Sequence, residues 1–294
     1  MKVLEVIQRS TDFLARKGID SPRLQAELLL AHVLGLPRMQ LYLNFERALT
    51  DTDLGTCREF VKRRGQHEPV QQIIGSTSFC GLEIALNRHV LVPRPETEVL
   101  AELGWEFLNH LPAPGPPGLL PDPRPVSALD FGTGSGCLAL ALAVKCPNAF
   151  LHAIDISTEA LALAGRNAAR HGVANRISFL QGDGLTALAP GMQFDLIIGN
   201  PPYIPSCEIE KLEPEVRDYE PRQALDGGAD GLDFFRRLSR GARPFVRAGG
   251  RLMLEFGDGE AEPIQEIFRE QNWVVERVVD DYTHRPRILI ARLV

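Results

Sequence analysis

The chain has 294 residues, 44% hydrophobic and 24% charged, with a net charge of −6 and a pI near 5.7. These values suit a globular protein of one large domain plus a smaller one, and they exclude a global basic field that would recruit nucleic acid. Five scattered cysteines with no CxxC pair argue against a disulfide framework or a zinc site. No apolar run approaches the roughly 20 residues of a membrane helix, and the first turns carry Glu5 and Asp12 rather than a signal-peptide core, so a cytoplasmic location and no membrane partner are expected.

Residues 1–75 read as a helical domain. Val3, Ile7, Phe13 and Leu14 predict a first amphipathic helix. Ser21-Pro22 opens a second, stopped at Gly35, and Thr50-Asp51-Thr52-Asp53 has the pattern of a capping box for a third that reaches Arg64-Gly65. Arg58, Lys62, Arg63 and Arg64 form a basic face, read as a solvated helix surface, with docking to an RNA-associated partner as the alternative. Residues 76–92 predict a β-hairpin linker, from Phe79, Leu82, Ile84 and Leu86 to His89-Val90-Leu91-Val92. Residues 93–294 form the third segment. Val92-Pro93-Arg94-Pro95-Glu96-Thr97-Glu98 leads into a helix through Phe107. Prolines crowd 111–127, predicting an extended surface connection.

From residue 126 strands alternate with helices. Strands are predicted at 126–131, 150–155, 177–180, 194–198, 251–256, 274–279 and 287–293, and helices at 136–145, 158–171, 231–246 and 260–271. The fold class is α/β, a doubly wound, Rossmann-like, mostly parallel seven-stranded sheet with a hairpin at one edge. In such sheets ligands bind across the carboxyl ends of the strands. Four consecutive strand ends here carry polar or glycine signals: Asp130 to Gly136, Asp155, Asp183 and Asn200.

Gly132-Thr133-Gly134-Ser135-Gly136 gives G-x-G-x-G at a strand-to-helix turn, where glycine lets backbone approach a ligand closely. The spacing is not the G-x-G-x-x-G of nicotinamide dinucleotide sites, which disfavours an oxidoreductase. Asp155 ends the second strand, where an acid accepts hydrogen bonds from ribose hydroxyls; a cap for the helix at Thr158 is the alternative. Gly182-Asp183-Gly184 is either an edge for an adenine or a plain turn.

Asn200-Pro201-Pro202-Tyr203 is the most informative stretch. Each proline fixes its own φ, lacks an N–H, and pushes the preceding residue into an extended conformation. A stiff turn results, rich in carbonyl oxygens and poor in donors. It suits a planar –NH2 group whose two hydrogens need acceptors, with Tyr203 flat against it.

Together the glycine loop, the acid on strand two and Asn-Pro-Pro-Tyr resemble an S-adenosylmethionine-dependent N-methyltransferase. Within that class Val92–Glu98, Gly199–Ile204, Glu220-Pro221-Arg222-Gln223-Ala224-Leu225 and Gly227-Gly228-Ala229-Asp230-Gly231-Leu232 resemble the protein-(glutamine-N5) methyltransferases of peptide chain release factors. The resemblance covers nearly the whole chain. It implies an S-adenosylmethionine site made by Gly132, Thr133, Gly134, Ser135, Gly136, Asp155, Asp183, Gly184 and Asn200. It also implies a substrate glutamine held by Asn200, Pro201, Pro202 and Tyr203, with Asn200, Pro201 and Tyr203 as the catalytic set and no metal. Family members often carry a larger side chain where this chain has Gly184. The implied partner is a class 1 release factor met by a monomer, its Gly-Gly-Gln glutamine being methylated. The alternatives are a ribosomal-protein glutamine N5-methyltransferase, disfavoured by Arg-Pro-Glu-Thr-Glu, and a nucleic-acid adenine N6-methyltransferase, disfavoured by the acidic catalytic region. Arg94, Glu96 and Glu98 are read as shaping the substrate entrance or an interdomain contact, with helix capping as the alternative.

Overall fold

The computed structural model describes residues 1–111 and 125–294. In chain order its first elements are α1 (Val3–Arg16), α2 (Pro22–Leu34), α3 (Asp51–Arg64), α4 (Val70–Ile74), β1 (Ser76–Phe79), β2 (Leu82–Ala85), α5 (Pro95–His110), β3 (Val126–Phe131), α6 (Cys137–Lys145), β4 (Ala149–Asp155) and α7 (Thr158–Arg170). Then come β5 (Ile177–Gln181), β6 (Phe194–Gly199), α8 (Pro214–Arg217), α9 (Asp233–Gly241), β7 (Val246–Glu255), α10 (Ala261–Glu270), β8 (Trp273–Asp280) and β9 (Pro286–Leu293). Two compact units result: Met1–Ser76 with Glu213–Tyr219, and Thr77–Leu212 with Glu220–Val294.

The first unit is helical. α1 buries Val3, Val6, Ile7, Ser10 and Leu14, the one-face spacing of an amphipathic helix. α2 starts at Pro22 and ends on left-handed Gly35. At α3 the capping box is present with Asp53 in the Glu/Gln position: Asp53 N–H donates to Thr50 Oγ1 (3.1 Å), and Thr50 N–H donates to Asp53 Oδ2 (3.1 Å). The predicted solvated basic face is only partly that. Arg63 donates to Glu68 (2.7 Å). Arg64 is 2% exposed, donates to Gln25 Oε1 (3.1 Å) and the Glu68 carbonyl (3.2 Å), and pairs with Glu215. A guanidinium with several fixed donors can be buried when each finds an acceptor.

The second unit is built on a seven-stranded sheet of order β5-β4-β3-β6-β7-β9-β8. The five strands from β5 to β7 are parallel, and β9 runs antiparallel to both β7 and β8. The chain winds outward from β3 through β4 to β5, then returns to the other side of β3 with β6, which puts the topological switch point between β3 and β6. All six residues of β3 are buried, as in a strand covered on both faces. Gly104 of α5 lets that helix lie close on the sheet, since a Cβ there would sit 2.9 Å from Ile198 Cδ1.

Three expectations are corrected. The hairpin is confined to Ser76–Ala85, turning at Cys80-Gly81, both with positive φ; residues 89–92 pair with no strand. The helix predicted to run to Val246 ends at Gly241, because Pro244 cannot continue it. The strand predicted from Arg251 begins at Val246, with a register shift over Gly249-Gly250 that periodicity does not reveal. Most of the proline-rich stretch of 111–127 lies outside the described residues.

Phe131 pairs with Gly199, so Gly132 and Asn200 leave adjacent strands side by side. A Cβ on Gly199 would meet the Phe131 carbonyl oxygen at 2.6 Å. Gly199→Ala therefore forces the two strand ends apart, and we expect a loss of about 1–3 kcal/mol. Gly165, inside α7 with no atom within 4 Å of its missing Cβ, is the control. Gly165→Ala gains about 0.5–1 kcal/mol. Urea unfolding of both variants checks the signs; a neutral Gly199→Ala would remove the close-approach argument.

Candidate active site

The carboxyl ends of β3, β4, β5 and β6 open into one cavity of about 340 Å³. Of the residues expected from sequence, Gly132, Gly134, Asp155, Asp183, Gly184, Asn200 and Pro202 line it. Thr133, Ser135, Gly136, Pro201 and Tyr203 are not among its walls.

The loop residues facing away from the cavity hold the loop. Asp130 is fully buried, and its Oδ2 accepts from Thr133 Oγ1 (2.6 Å) and Ala139 N (3.1 Å), while Oδ1 has no partner among the described residues. Burial pushes this carboxyl up to about 7, against the pull of those two hydrogen bonds. The Ser135 carbonyl accepts from Asn167 Nδ2 (2.9 Å). Gly136 has φ 84°, and a Cβ there would meet Leu140 and Ala164, so it is a packing glycine. Asp155 accepts from Gly134 N (2.8 Å) through Oδ2 and from Ser157 N (2.9 Å) through Oδ1. The α7 cap is Ser157, whose side chain accepts from Ala160 N. Asp155 therefore braces the glycine loop rather than capping the helix.

Asn200 occupies the end of β6 beside two residues that sequence reasoning did not single out. Its Nδ2 donates to Glu255 Oε1 (2.9 Å) and to Thr97 Oγ1 (3.2 Å), and Thr97 Oγ1 donates to Glu255 Oε2 (2.7 Å). Among the described residues nothing donates to Asn200 Oδ1, and no hydrogen bond is made to the Pro201 carbonyl. Asn200 Oδ1 thus belongs to a residue of the cavity wall and is unengaged among the described residues, with the buried Pro201 carbonyl next along the chain. Burial raises Glu255 to about 7, and nearby Glu96 adds to the shift; Thr97, Arg287 and Arg94 oppose it.

In the Val92–Glu98 motif the contacts of Arg94 and Glu98 run to Glu220 and Cys80. Arg94 stands at the α5 N-cap position without capping; it donates to Glu220 Oε2 (2.7 Å), whose Oε1 accepts from Val92 N (3.4 Å). Glu220 is nevertheless raised, because burial outweighs the Arg94 charge. Glu98 accepts from Cys80 N (2.9 Å) at the hairpin turn.

Two family models match the chain: PrmC N-terminal domain over residues 5–75 and Methyltransferase small domain over 118–211. A Geobacter sulfurreducens protein named release factor glutamine methyltransferase is 43% identical over 266 residues, 90% of this chain and 88% of that one. A Chlorobaculum tepidum protein of the same name is 45% identical over 264 residues, 88% of this chain and 87% of that one. The chain belongs to the release factor glutamine methyltransferase family. Among solved structures, the human METTL16 catalytic domain in complex with the MAT2A 3′UTR hairpin 6 aligns with TM-score 0.54 at 15% identity over 72% of this chain and 76% of that one. That likeness shows the fold alone.

Within this release factor glutamine methyltransferase fold, the motif at Gly227–Leu232 makes room for Tyr203. A Cβ on Gly227 would sit 2.8 Å from Tyr203 Cα, one on Gly257 3.0 Å from its Cδ2, and one on Gly231 would strike its carbonyl. Backbone bonds tie the segments: Ile204 N to Leu225 O (3.0 Å) and Gly227 N to Ile204 O (2.9 Å). Burial raises the Tyr203 hydroxyl well above its ordinary value, so it stays protonated. At the far end of the cavity Gly184 has φ 60°, and a Cβ there would press on Phe131 at 2.8 Å. Arg237 pairs with Asp183 (2.6 Å) and lies over the Phe234 ring (5.4 Å). Asp183 thus lines the cavity while its carboxylate is engaged by Arg237.

The raised Asp130 carboxyl has a consequence for stability. Its folded value lies above the ordinary 3.8, so its stabilising contribution is complete below about pH 4 and is lost as pH rises through about 7. Asp130→Asn keeps an acceptor for Thr133 and Ala139 and cannot ionise. Between about pH 5 and pH 8 the wild type should lose roughly 2 kcal/mol more than this variant. Urea unfolding at the two pH values measures it, and parallel losses would contradict the assignment.

Proposed function

We propose that this chain transfers a methyl group from S-adenosylmethionine to the side-chain amide nitrogen of the Gly-Gly-Gln glutamine in peptide chain release factors. The observation that carries the reading is Asn200 Oδ1, unengaged among the described residues on a residue lining the cavity at the switch point and followed directly by the Pro201 carbonyl. A primary amide nitrogen has two hydrogens to give, and Asn200 Oδ1 with the Pro201 carbonyl would accept them. The relatives' shared name supports the choice of a release-factor glutamine.

The cavity suits the methyl donor by its chemistry. Gly132 and Gly134 present backbone without Cβ atoms, Asp155 brings a carboxylate, and Ile154, Ile156 and Phe131 supply apolar walls. Asp155 would receive ribose hydroxyls with the lone pairs left after Gly134 and Ser157. The apolar walls and the Gly182-Asp183-Gly184 backbone would border an adenine. When bound, S-adenosylmethionine supplies a methyl already activated on a sulfonium.

The protein's task is orientation and charge. An amide nitrogen is a weak nucleophile because its lone pair is delocalised into the carbonyl. Asn200 Oδ1 and the Pro201 carbonyl would each accept one N–H, fixing the amide plane and removing its rotational freedom. As nitrogen gains a bond to the methyl carbon, the carbon–sulfur bond breaks and its electron pair leaves on a neutral thioether; nitrogen becomes positive, and the same two oxygens would stabilise it more than they stabilise the resting amide. The alkylated nitrogen then releases one proton to water. No side-chain base is required, and the Tyr203 hydroxyl, held protonated, is not one.

Label from S-adenosylmethionine should appear on purified release factor and be absent when the Gly-Gly-Gln glutamine is alanine. Asn200→Ala should lower the rate by about 10²–10³, with a much smaller change in donor affinity. Wild-type turnover in that variant, or equal labelling of the two release factors, would remove the reading. Asp155→Ala should weaken donor binding at least about tenfold, the worth of a charge-assisted hydrogen bond. Unchanged affinity in calorimetry would take Asp155 out of the site.

A further inference from the structure

We propose that Glu255, together with Thr97, is a positioning residue that sets which end of the Asn200 amide faces the incoming glutamine. The inference rests on the functional reading above and concerns a residue that touches Asn200 and Thr97 rather than substrate.

Three polar groups close a ring: Asn200 Nδ2 to Glu255 Oε1 (2.9 Å), Asn200 Nδ2 to Thr97 Oγ1 (3.2 Å), and Thr97 Oγ1 to Glu255 Oε2 (2.7 Å). Hydrogen counting fixes its sense. A threonine hydroxyl has one hydrogen, and an ionised carboxylate has none. Thr97 gives its hydrogen to Glu255 and keeps a lone pair for Asn200. Both neighbours of Asn200 are then acceptors, so only its –NH2 end can face them. Turning the amide over would set Oδ1 against a carboxylate oxygen and a hydroxyl lone pair, with two hydrogen bonds lost. The oxygen end is left for substrate.

Protonation of Glu255 removes this discrimination. A carboxylic acid carries a donor beside its acceptor oxygen, so a turned-over Asn200 can accept through Oδ1 from the acid and competes with the original orientation. In the turned-over form the –NH2 end points outward, toward a substrate –NH2 that also has only hydrogens to offer. Two donors cannot bind one another, and the fraction of enzyme able to grip the glutamine falls. Glu255 is 2% exposed, which leaves no solvent to blunt the effect.

The groups facing Glu255 come from every neighbouring element: Thr97, Glu96 and Arg94 at the start of α5, Tyr203 after β6, and Arg287 on β9. Burial and Glu96 favour the neutral acid, whereas Thr97, Arg287 and Arg94 favour the carboxylate, and the balance lies at about 7. Ionisation of Glu255 therefore falls in the working range, and methyl transfer should lose rate as pH drops below about 7.

Glu255→Gln is the test, being the same size, permanently neutral and able to donate to Asn200 Oδ1. With wild-type enzyme, purified release factor and S-adenosylmethionine, kcat should rise with pH to a plateau above about 7. In Glu255→Gln kcat should fall by about ten- to a hundredfold, donor affinity should stay within about twofold, and the acid limb should vanish. Thr97→Ser, which keeps the hydroxyl, should retain more of kcat than Thr97→Val. A wild-type kcat flat between about pH 5.5 and 8.5 overturns the proposal. So does a Glu255→Gln enzyme that keeps the limb and merely melts earlier, as a purely structural residue would. If Glu255→Gln does not fold, the wild-type profile and the Thr97 pair still decide. No transfer by the wild type at any pH would instead be a failure of the functional reading, separable because donor binding is measured beside it.

Discussion

An amide nitrogen whose hydrogens are already given inward is the constraint on which this site depends. Asn200 spends both N–H groups on Glu255 and Thr97, so what it shows to the cavity is an acceptor. For that to hold, three separate parts of the chain must meet. β6 must deliver Asn200 next to the glycine loop, β7 must end with Glu255 alongside, and the first turn of α5 must bring Thr97 over the pair. The parallel register supplies the first two, since Phe131, Gly199 and Leu254 align across neighbouring strands. Gly104 supplies the third by letting α5 lie close to the sheet. The chemistry is thus a consequence of strand register and one missing side chain on a helix.

The glycine loop shows the same economy. Only Gly132 and Gly134 reach the cavity; Thr133, Ser135 and Gly136 turn inward to Asp130, Asn167 and α7. A loop that must bring bare backbone to a ligand has no side chains there to hold it. The holding is done by Asp155 from the next strand, and by the Asp130–Thr133–Ala139 contacts below. Asp155 therefore has two duties on different lone pairs, bracing the loop and facing the cavity.

Much of this was legible in the sequence because it rests on local signals. The sheet class, the strand ends, the cap at Thr50 and the turn at Asn200-Pro201-Pro202-Tyr203 all follow from periodicity and from what Pro and Gly permit. What was not legible depends on contacts between distant residues. Glu255 sits 55 residues beyond Asn200, and along its own strand it looks like an acid closing an apolar run. The rule applied to four other strand ends would have found it, had that strand been ended at Glu255. Thr97 lay inside a motif whose charged members drew attention, because charge is visible in sequence and a hydroxyl's partner is not. The basic face on α3 misled for the same reason: Arg64 needed Glu215, which arrives from a distant segment. The glycines at 227 and 231 belong to a quoted motif whose physical cause, close approach to Tyr203, is a distant contact, and Gly257 crowds the same ring with no motif to mark it.

Buried acids gather around the carboxyl ends of the strands: Asp130, Glu220 and Glu255, with half-buried Glu260 nearby, all raised chiefly by burial. Each is a cost to the fold near neutral pH, because the ionised form is poorly solvated where it sits. Well-packed apolar residues in their places would often leave such a protein equally stable or more so. Stability alone gives no reason to keep four of them. Hydrogen-bond direction does. An apolar residue at 255 leaves Asn200 free to turn over, and one at 130 leaves Thr133 and Ala139 N–H without an acceptor. Removing Glu220 leaves Arg94 unpaired and the Val92 N–H unsatisfied. Each acid fixes donors that would otherwise settle the backbone or an amide in a second arrangement. The molecule gives up some stability at neutral pH for a single orientation of the groups around one planar amide.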